Sequence, residues 1–182
     1  VAPIYSEDVL FGIVGETFTF PVEIKQRIED IIWSKNKDKV AEQDGKNPPI
    51  YFTPLQGRSE LKENGNLTIF NLEKNDTGTY ELHYWGSLPA GYLKFILTVL
   101  DPPSEPEISY SIRGDNLVLN CTSDFQRPVT YNWKLSNDPR SHQSQEFSIP
   151  IKNIDATKKA TCFITFSQTE KSSEISLIQC IS

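Results

Sequence analysis

The residues that could perform acid–base or nucleophilic chemistry are sparse in this sequence. Among 182 residues, His83 and His142 are the only histidines. The chain has no H-E-x-x-H zinc segment, no G-x-S-x-G nucleophile turn and no glycine-rich phosphate loop followed by lysine. Adjacent acidic residues such as Glu29 and Asp30 point to opposite faces of a strand, so they cannot hold one substrate together. We therefore expect no enzymatic activity, no cofactor and no metal site.

The three cysteines are the remaining candidates for covalent chemistry. Cys121 ends one segment of alternating apolar residues, Trp133 follows it by twelve residues, and Cys162 lies in a later alternating segment. Their spacing does not match a zinc site such as C-x-x-C. Because the number of cysteines is odd, at least one thiol stays outside an intrachain disulfide.

Three Asn-x-Ser/Thr sequons are present, and they begin at Asn66, Asn75 and Asn120. If Leu67 and Cys121 point into hydrophobic cores, the alternation of strand side chains turns Asn66, Thr68 and Asn120 outward, while Asn75 lies in a turn. Exposed acceptors are typical of secreted and cell-surface glycoproteins. We predict glycosylation at all three and an extracellular, cell-surface location.

The composition excludes nucleic acid as a partner. The chain has 18 Lys and Arg against 24 Asp and Glu, a formal net charge of −6. Residues 1–101 hold most of this charge, with 10 basic and 15 acidic side chains. A nucleic-acid-binding protein needs a basic field to neutralise phosphates. The absence of Met suggests a processed ectodomain fragment, and we expect the native chain to be membrane-anchored beyond Ser182.

The elements that position these residues are short strands on both sides of a proline-rich break. Residues 101–106 contain three prolines, which hold a linker extended. Period-two alternation occurs at 92–100 and 116–121, and turn signals such as Asn64-Gly65 separate such segments. The pattern predicts an all-β protein of two sandwiches in tandem, spanning residues 1–101 and 102–182.

The first half resembles a variable-type immunoglobulin domain. Trp33 follows Val22 by eleven residues, as the core tryptophan of strand C follows strand B. The D-x-G-x-Y run at residues 76–80 places Tyr80 at the corner that enters strand F. At the positions where cysteines usually join the two sheets, this sequence has Val22 and Leu82. The resemblance therefore implies a sandwich without the inter-sheet disulfide.

The second half resembles a constant-type immunoglobulin domain. The order Cys121, Trp133, Cys162 matches the inter-sheet disulfide and its tryptophan. The interval from Trp133 to Cys162 is too short for the extra strands of a variable-type domain. The resemblance implies a Cys121–Cys162 disulfide.

Both halves together resemble the lymphocyte adhesion family related to the signalling lymphocytic activation molecules. The most specific segment is IWSKNKDKVAE at residues 32–42, supported by GNLTIFNL at 65–72 and ISLIQC at 175–180. The resemblance implies a ligand for the erythrocyte-rosetting receptor of T and natural killer cells, supporting adhesion and costimulation. The family also joins strands A and G of its second domain by a disulfide. Here Tyr110 replaces the strand-A cysteine, so we predict that Cys180, on strand G, is unpaired or paired between chains.

The resemblance implies binding through the GFCC′C″ sheet of the first domain. Six of the ten residues from Lys35 to Asp44 are charged, with both signs interleaved. Such a surface gains specificity and fast encounter from charge complementarity, while desolvation consumes much of the Coulomb gain. We therefore expect a weak contact that many copies make avid. The predicted partner-binding residues are Asp30, Lys35, Lys37, Asp38, Lys39, Glu42, Asp44, Phe52, Tyr84 and Trp85.

Three alternatives stay open at this point. The charged run by itself also fits a solvated surface strand. Tyr84 and Trp85 replace acidic residues of the family, and they fit either interface anchors or edge-strand packing. In place of the adhesion ligand, the chain also fits a ligand of natural-killer receptors of the signalling lymphocytic activation molecule family, or a soluble decoy.

Overall fold

The computed structural model describes the backbone from residue 4 to residue 182 and the side chains from residue 7 onward. Within this range the chain forms 16 β-strands, two 3₁₀ turns and one short helix, α1 (Leu177–Ile181). The chain divides between Asp101 and Pro102 into two compact units. The expected all-β architecture is confirmed, and the division lies within the proline-rich segment.

The first unit consists of two sheets. Its strands are β1 (Ile4–Ile13), β2 (Phe18–Thr19), β3 (Ile28–Lys35), β4 (Asp38–Asp44), β5 (Ile50–Tyr51), β6 (Ser59–Leu61), β7 (Leu67–Ile69), β8 (Gly78–Gly86) and β9 (Gly91–Leu100). One sheet has the order β1–β9–β8–β3–β4–β5 and the other β2–β7–β6. β1 runs parallel to β9, and the other pairs are antiparallel. In immunoglobulin notation the larger sheet has the order A′GFCC′C″.

An aromatic core joins these two sheets. The ring of Phe20 lies 5.0 Å from that of Trp33 and 4.8 Å from that of Tyr80, measured between centroids. The Trp33 indole donates a hydrogen bond to the Gly65 carbonyl (3.0 Å), and the Tyr80 hydroxyl donates to the Asp76 carbonyl (2.6 Å). All three rings are fully buried, and each contributes about 2 kcal/mol or more through burial. The tyrosine corner predicted from the D-x-G-x-Y run is therefore present.

Aliphatic side chains occupy the place of the usual inter-sheet disulfide. Val22 is 7% exposed and Leu82 is fully buried, and both belong to the same core as Trp33. Leu82 lies opposite Trp33 in the β3–β8 register. Packing alone thus holds this sandwich, without a covalent constraint on the unfolded chain. Val22 lies beyond the end of β2, which covers only Phe18–Thr19.

The second unit also has two sheets. Its strands are β10 (Glu107–Arg113), β11 (Asn116–Thr122), β12 (Thr130–Leu135), β13 (Ser141–His142), β14 (Glu146–Pro150), β15 (Lys159–Phe166) and β16 (Thr169–Ser176). The sheet orders are β10–β11–β14 and β13–β12–β15–β16. Cys121 on β11 and Cys162 on β15 form a disulfide between the sheets, with a Cα–Cα distance of 6.4 Å. Trp133 is fully buried in the same core.

Cys180 does not lie on the last strand, and the expected strand-G position is wrong. β16 ends at Ser176, and Cys180 belongs to α1. Its thiol is unpaired and 7% exposed, and burial raises its pKa. The chain leaves its extended course because Leu177 and Cys180, three residues apart, turn one side of this short helix into the core. Tyr110, the replacement for the strand-A cysteine, is 49% exposed on β10.

Candidate partner-binding face

Alternation along the strands of the larger sheet separates core residues from surface residues. Ile31 and Trp33 on β3 and Leu82 and Tyr84 on β8 are buried in the core. Residues between and opposite them in the register point to the other side, which we call the outer face. Its members are Asp30, Ile32, Ser34, Lys39, Glu42, Asp44, Ile50, Glu81, His83, Trp85, Tyr92 and Lys94.

The β3–β4 hairpin brings a lysine onto this face. Asn36 and Lys37 form its turn with φ values of 49° and 73°, as a type I′ turn requires. The Asn36 side-chain oxygen accepts a hydrogen bond from the backbone N–H of Thr79 at 2.9 Å, which ties the turn to β8. Lys37 extends across the outer face, and its ammonium nitrogen lies 2.9 Å from the Glu81 carboxylate. The turn thus places an ammonium group over the sheet.

Glu81 is a buried carboxylate in the middle of a polar network. It is 5% exposed, and it accepts a hydrogen bond from the Tyr92 hydroxyl besides its ion pair with Lys37. The hydrogen bond from Tyr92, followed by the hydrogen bond and charge of Lys37, lowers the pKa of Glu81. These partners compensate for the desolvation that opposes the charged form. Glu81 therefore stays ionised and holds Lys37 against the face.

A second ion pair lies further along β4. The Lys39 ammonium nitrogen is 2.8 Å from the Glu42 carboxylate and 5.7 Å from the centre of the Phe52 ring. The Phe52 backbone N–H donates to the Val40 carbonyl at 3.0 Å. Phe52 comes directly after β5. The residue lies beside the charged strand.

The opposite end of the outer face is acidic. Asp30 on β3 and Asp44 on β4 lie directly opposite each other in the register, where like charges repel. A hydrogen bond from the Asp44 carboxyl group to Asp30, together with the negative charge of Asp30, raises the pKa of Asp44. Asp30 also accepts a hydrogen bond from the Gly45 backbone N–H at 3.1 Å. A positive group at this end would relieve the repulsion.

Trp85 and Tyr84 differ in their exposure. Trp85 is 42% exposed and lies opposite Asp30 in the register, whereas Tyr84 is 3% exposed in the core. Tyr84 therefore cannot contact a partner from this position, and its prediction as a partner-binding residue is corrected. Strand side chains alternate between the two faces, so a core position at Leu82 already predicts that Tyr84, two residues later, points into the core. Trp85 and Ile50 border a shallow depression of about 610 Å³ that also includes Asp30 and Asp44.

Aromatic and apolar side chains form the centre of the outer face. The His83 ring lies 4.7 Å from the Tyr92 ring and 6.4 Å from the Trp85 ring. Ile32 is opposite His83 in the β3–β8 register. Sequence reasoning missed Glu81, His83 and Tyr92 because they come from strands far along the chain. The alternation that starts at the predicted core residue Leu82 would have placed Glu81 and His83 outward.

Lys35 and Asp38 lie at the edge of the face. Lys35 belongs to the same side of β3 as Trp33, and its ammonium group donates to the carbonyl of Asn75. Lys35 is thus tied to the turn before β8 and lies beside the outer face, and its role in partner binding stays a prediction. Asp38 is exposed at the start of β4, next to the hairpin turn. The outer face consequently receives its positive charge from Lys37, Lys39 and Lys94.

The three sequons lie outside the outer face. Asn75 is exposed in the 3₁₀ turn Lys74–Asp76, while Asn66 and Asn120 are half-buried. Thr68 is only 3% exposed because its hydroxyl group pairs with that of Thr19 at 2.7 Å, so the expected exposure of Thr68 is wrong. Glycosylation at the three asparagines stays a prediction.

Among the described residues, no group of His, Cys, Asp and Glu side chains has an arrangement that could hold a metal ion. None of the helices in the described residues has the length and apolar character needed to cross a membrane. The outer face is accordingly the candidate site with the most extensive arrangement of charged and aromatic groups.

Comparisons with known proteins agree with this architecture. No protein-family model matches the chain. Human lymphocyte function-associated antigen 3 is 25% identical over 178 residues, which cover 94% of this chain and 70% of that protein. Horse T-cell surface antigen CD2 is 30% identical over 169 residues, which cover 86% of this chain but only 47% of that protein.

A solved structure supports the same fold. The crystal structure of the CD2-binding domain of CD58, which is lymphocyte function-associated antigen 3, matches with a TM-score of 0.54 and 24% identity. The match covers 93% of this chain and 96% of that one. The resemblance inferred from the motifs is therefore confirmed. The chain has an immunoglobulin-like fold and is similar in sequence to human lymphocyte function-associated antigen 3 over nearly its whole length.

Proposed function

We propose that the chain is a cell-surface adhesion ligand that binds a CD2-type receptor, the erythrocyte-rosetting receptor of T and natural killer cells. The observation that carries the proposal is the outer face, where charged groups of both signs surround an aromatic centre. The similarity to lymphocyte function-associated antigen 3, whose domain in the solved structure is described as CD2-binding, supports it. Binding at this face supports cell adhesion and costimulation.

The acidic end of the outer face favours a partner that supplies positive charge. Lys37 and Lys39 already have carboxylate partners, Glu81 and Glu42, whereas Asp30 and Asp44 lie opposite each other and the Asp30 carboxylate raises the pKa of Asp44. An ammonium or guanidinium group of the receptor would neutralise them. Lys37 is 83% exposed, and its ammonium group has two donors besides the one directed at Glu81, so it can also bind a carboxylate of the receptor. These properties favour a weak contact that forms and dissociates rapidly.

The two units have different proposed roles. The first is a variable-type domain that presents the outer face, and the second is a constant-type domain next to the membrane, stiffened by the Cys121–Cys162 disulfide. Glycans at Asn66, Asn75 and Asn120 would lie away from the outer face, because none of these residues belongs to it. An anchor beyond the second unit would display many copies on one cell. The weak single contact then becomes avid between two membranes.

Surface-based binding of this chain to the receptor ectodomain tests the proposal. We expect weak, rapidly reversible binding that falls as salt increases from about 50 mM to physiological ionic strength, because charges guide it. Asp44→Lys should reduce the affinity about tenfold or more, equivalent to about 1.4 kcal/mol. Lys158→Glu, in the second unit, is the matched control and should bind normally. Equal losses in both variants would rule out the outer face as the binding surface.

Trp85 supports a second candidate function. Its exposed indole beside Asp30 provides a large anchor of the type found at interface hot spots. If the chain does not bind the rosetting receptor at high concentration, we propose natural-killer receptors of the signalling lymphocytic activation molecule family as the partners. Binding to those receptors should then require Trp85. A soluble decoy would use the same face and would block adhesion between cells instead of supporting it.

A further inference from the structure

The strand β10 of the second unit lies at the edge of its sheet. Among the described strands only β11 pairs with it, in an antiparallel register that runs from Glu107 to Arg113. Alternate residues of an edge strand direct their backbone N–H and C=O groups away from the sheet. Six of the seven residues of β10 are exposed. Its outer side, which we call the free edge, is therefore accessible to another strand.

The free edge lacks the features that usually prevent strand pairing between chains. Such features are charged side chains, proline or a bulge within the edge strand. In β10 the charged residues are Glu107 and Arg113, at the two ends, and the register with β11 is continuous. Tyr110 and Ile112 are 49% and 51% exposed. Pairing with another strand would remove this apolar surface from water.

The sequence of β10 is nearly a palindrome. It reads EISYSIR, with Tyr110 at the centre, then a serine and an isoleucine on each side, and opposite charges at the ends. An identical antiparallel strand centred on the same tyrosine therefore places serine opposite serine and isoleucine opposite isoleucine. At both ends it places Glu107 opposite Arg113. Pairs of this kind stabilise neighbouring strands, and a two-fold axis produces each of them twice.

We propose that β10 pairs with β10 of a second copy of this chain, about a two-fold axis that passes through Tyr110. The two three-stranded sheets of order β10–β11–β14 then join into one continuous sheet. Isoleucine and tyrosine side chains meet on one side of that sheet, and the charged and serine side chains meet on the other. The free edge belongs to the second unit, so this inference does not depend on the receptor proposed for the outer face.

The residues at and beside the ends of β10 select this register. A shift of two residues in one direction brings Glu107 beside Asp115 of the other copy, where like charges repel. A shift of two residues in the other direction brings Pro106, which has no N–H group, opposite Ile112. A shift of one residue would place apolar side chains of one strand opposite polar side chains of the other.

Arg113 can bind Glu107 of the second copy from its present position on the strand. It pairs with Glu146 at 2.6 Å, but both side chains are more than half exposed, so this ion pair is weak. The guanidinium group has five N–H donors and can bind a second carboxylate. Within the described part of the chain, the Glu107 carboxylate has no ion-pair partner. Pairing between copies supplies one.

The proposed interface is small. Stable complexes bury about 1,200 Å² or more in total, and two strands of seven residues provide less. We therefore expect weak association in solution, with a dissociation constant of about 0.1–1 mM. Copies displayed together on one membrane have a higher effective concentration. A pair of copies also carries two outer faces, which increases the avidity of receptor binding.

Disulfide trapping in the whole chain tests the register. Glu107→Cys and Arg113→Cys are mixed in equal amounts under mild oxidation. Opposite Cα atoms of antiparallel strands are about 4.5–5.5 Å apart, within the range that a disulfide requires. In a pair of identical variants, the introduced cysteines are six residues apart along the strand, about 20 Å. We expect at least tenfold more covalent dimer from the mixture than from either variant alone.

Sedimentation at concentrations up to about 1 mM tests the contribution of the charges. Glu107→Arg and Arg113→Glu should each reduce the association constant about tenfold, because each brings like charges together at both ends. An equal mixture of the two should regain the association, since opposite charges then meet at both ends. Glu170→Arg makes the same type of change at an exposed position on β16. This matched control should associate like the unmodified chain.

The outcomes separate this pairing from other contacts. The unmodified chain, whose Cys180 is buried, gives the baseline for disulfide formation. A cysteine mixture without excess covalent dimer, or a charge mixture that does not regain association, would overturn the proposal. Asp44→Lys, on the outer face, should leave the association unchanged, and its loss would assign the contact to the outer face instead. A monomer that binds the receptor refutes only the pairing, whereas a pair that never binds it refutes only the proposed receptor.

Discussion

Lys37 and Glu81 form an ion pair with a distance of 2.9 Å between a hairpin turn and a buried position on β8. The lysine is 83% exposed and adopts φ = 73°, a backbone conformation that favours glycine. The same residue therefore combines a conformational cost with an electrostatic role. Its substitution can separate folding from binding.

Lys37→Gly should remove the ammonium group without weakening the hairpin. Glycine relieves the left-handed strain by about 0.5–1 kcal/mol, which offsets part of the cost of leaving the buried Glu81 carboxylate with Tyr92 as its remaining partner. We expect the melting temperature to fall by only a few degrees and the receptor affinity to fall about tenfold. Thermal unfolding and surface binding measure the two effects. A large loss of stability with unchanged affinity would assign Lys37 a structural role only.

Arg58 and Asp76 form an ion pair in the first unit, in which the Arg58 side chain is 25% exposed and Asp76 is buried. The two guanidinium nitrogens of Arg58 donate to the carboxylate at 2.7 and 3.1 Å. Arg58→Ala would leave a buried carboxylate without its charged partner, which costs about 3 kcal/mol or more. Denaturant unfolding of the whole chain, followed by the fluorescence of the first unit's Trp33, measures this loss.

Arg113 provides the matched control for Arg58. It pairs with Glu146 at 2.6 Å, but both side chains are more than half exposed. Arg113→Ala should therefore cost less than about 1 kcal/mol. Similar losses of stability for the two substitutions would show that the burial of Asp76 does not increase the cost of removing its partner.

Two carboxyl groups of the outer face should make opposite contributions to stability in acid. The pKa of Glu81 is lowered, so its stabilisation is present above its unfolded pKa and is lost as pH falls. The pKa of Asp44 is raised, so its contribution is present at low pH and is lost as pH rises through that raised value. Glu81→Gln should make the free energy of unfolding depend less on acidic pH. Asp44→Asn should increase the free energy of unfolding near neutral pH.

Melting temperatures between about pH 3 and pH 7 test these signs, since the ordinary pKa values of Asp and Glu carboxyl groups fall in this range. Glu60→Gln, at an exposed position on β6, is the control and should leave the profile unchanged. Identical profiles for the two outer-face variants would show that neither network depends on ionisation.

Trp85 and Tyr84 should differ in what their substitution affects. Trp85→Ala removes a 42% exposed ring, so we expect little loss of stability and a large loss of receptor affinity. Tyr84→Ala removes a buried ring and should cost about 3 kcal/mol or more. Thermal unfolding and binding of both variants provide the comparison. A stability loss for Trp85→Ala as large as that for Tyr84→Ala would indicate edge packing instead of an interface anchor.

Cys180 should supply one thiol per chain that reacts after denaturation. In the folded chain its burial and raised pKa make the reaction slow. A colorimetric thiol assay, with and without denaturant, measures both states. A denatured, monomeric chain without any free thiol would contradict the unpaired state.

Local patterns in the sequence determined much of this fold. Trp33, the turn that leads to Tyr80, and the Cys121–Trp133–Cys162 spacing each specify a core position, because strand alternation and a tight turn depend on neighbouring residues. The charges at Lys37, Lys39 and Asp44 could likewise be assigned to one hairpin, since a hairpin is a local structure.

The tertiary structure decided which of these side chains share the outer face. Glu81 and Tyr92 meet Lys37 only after β8 and β9 pair beside β3, and no local pattern contains that register. Lys35 turns to the Asn75 carbonyl, and Cys180 enters a helix instead of a strand. In each case a distant packing surface competes with the local preference and determines the orientation, because burial and satisfied charges contribute more free energy than local alternation.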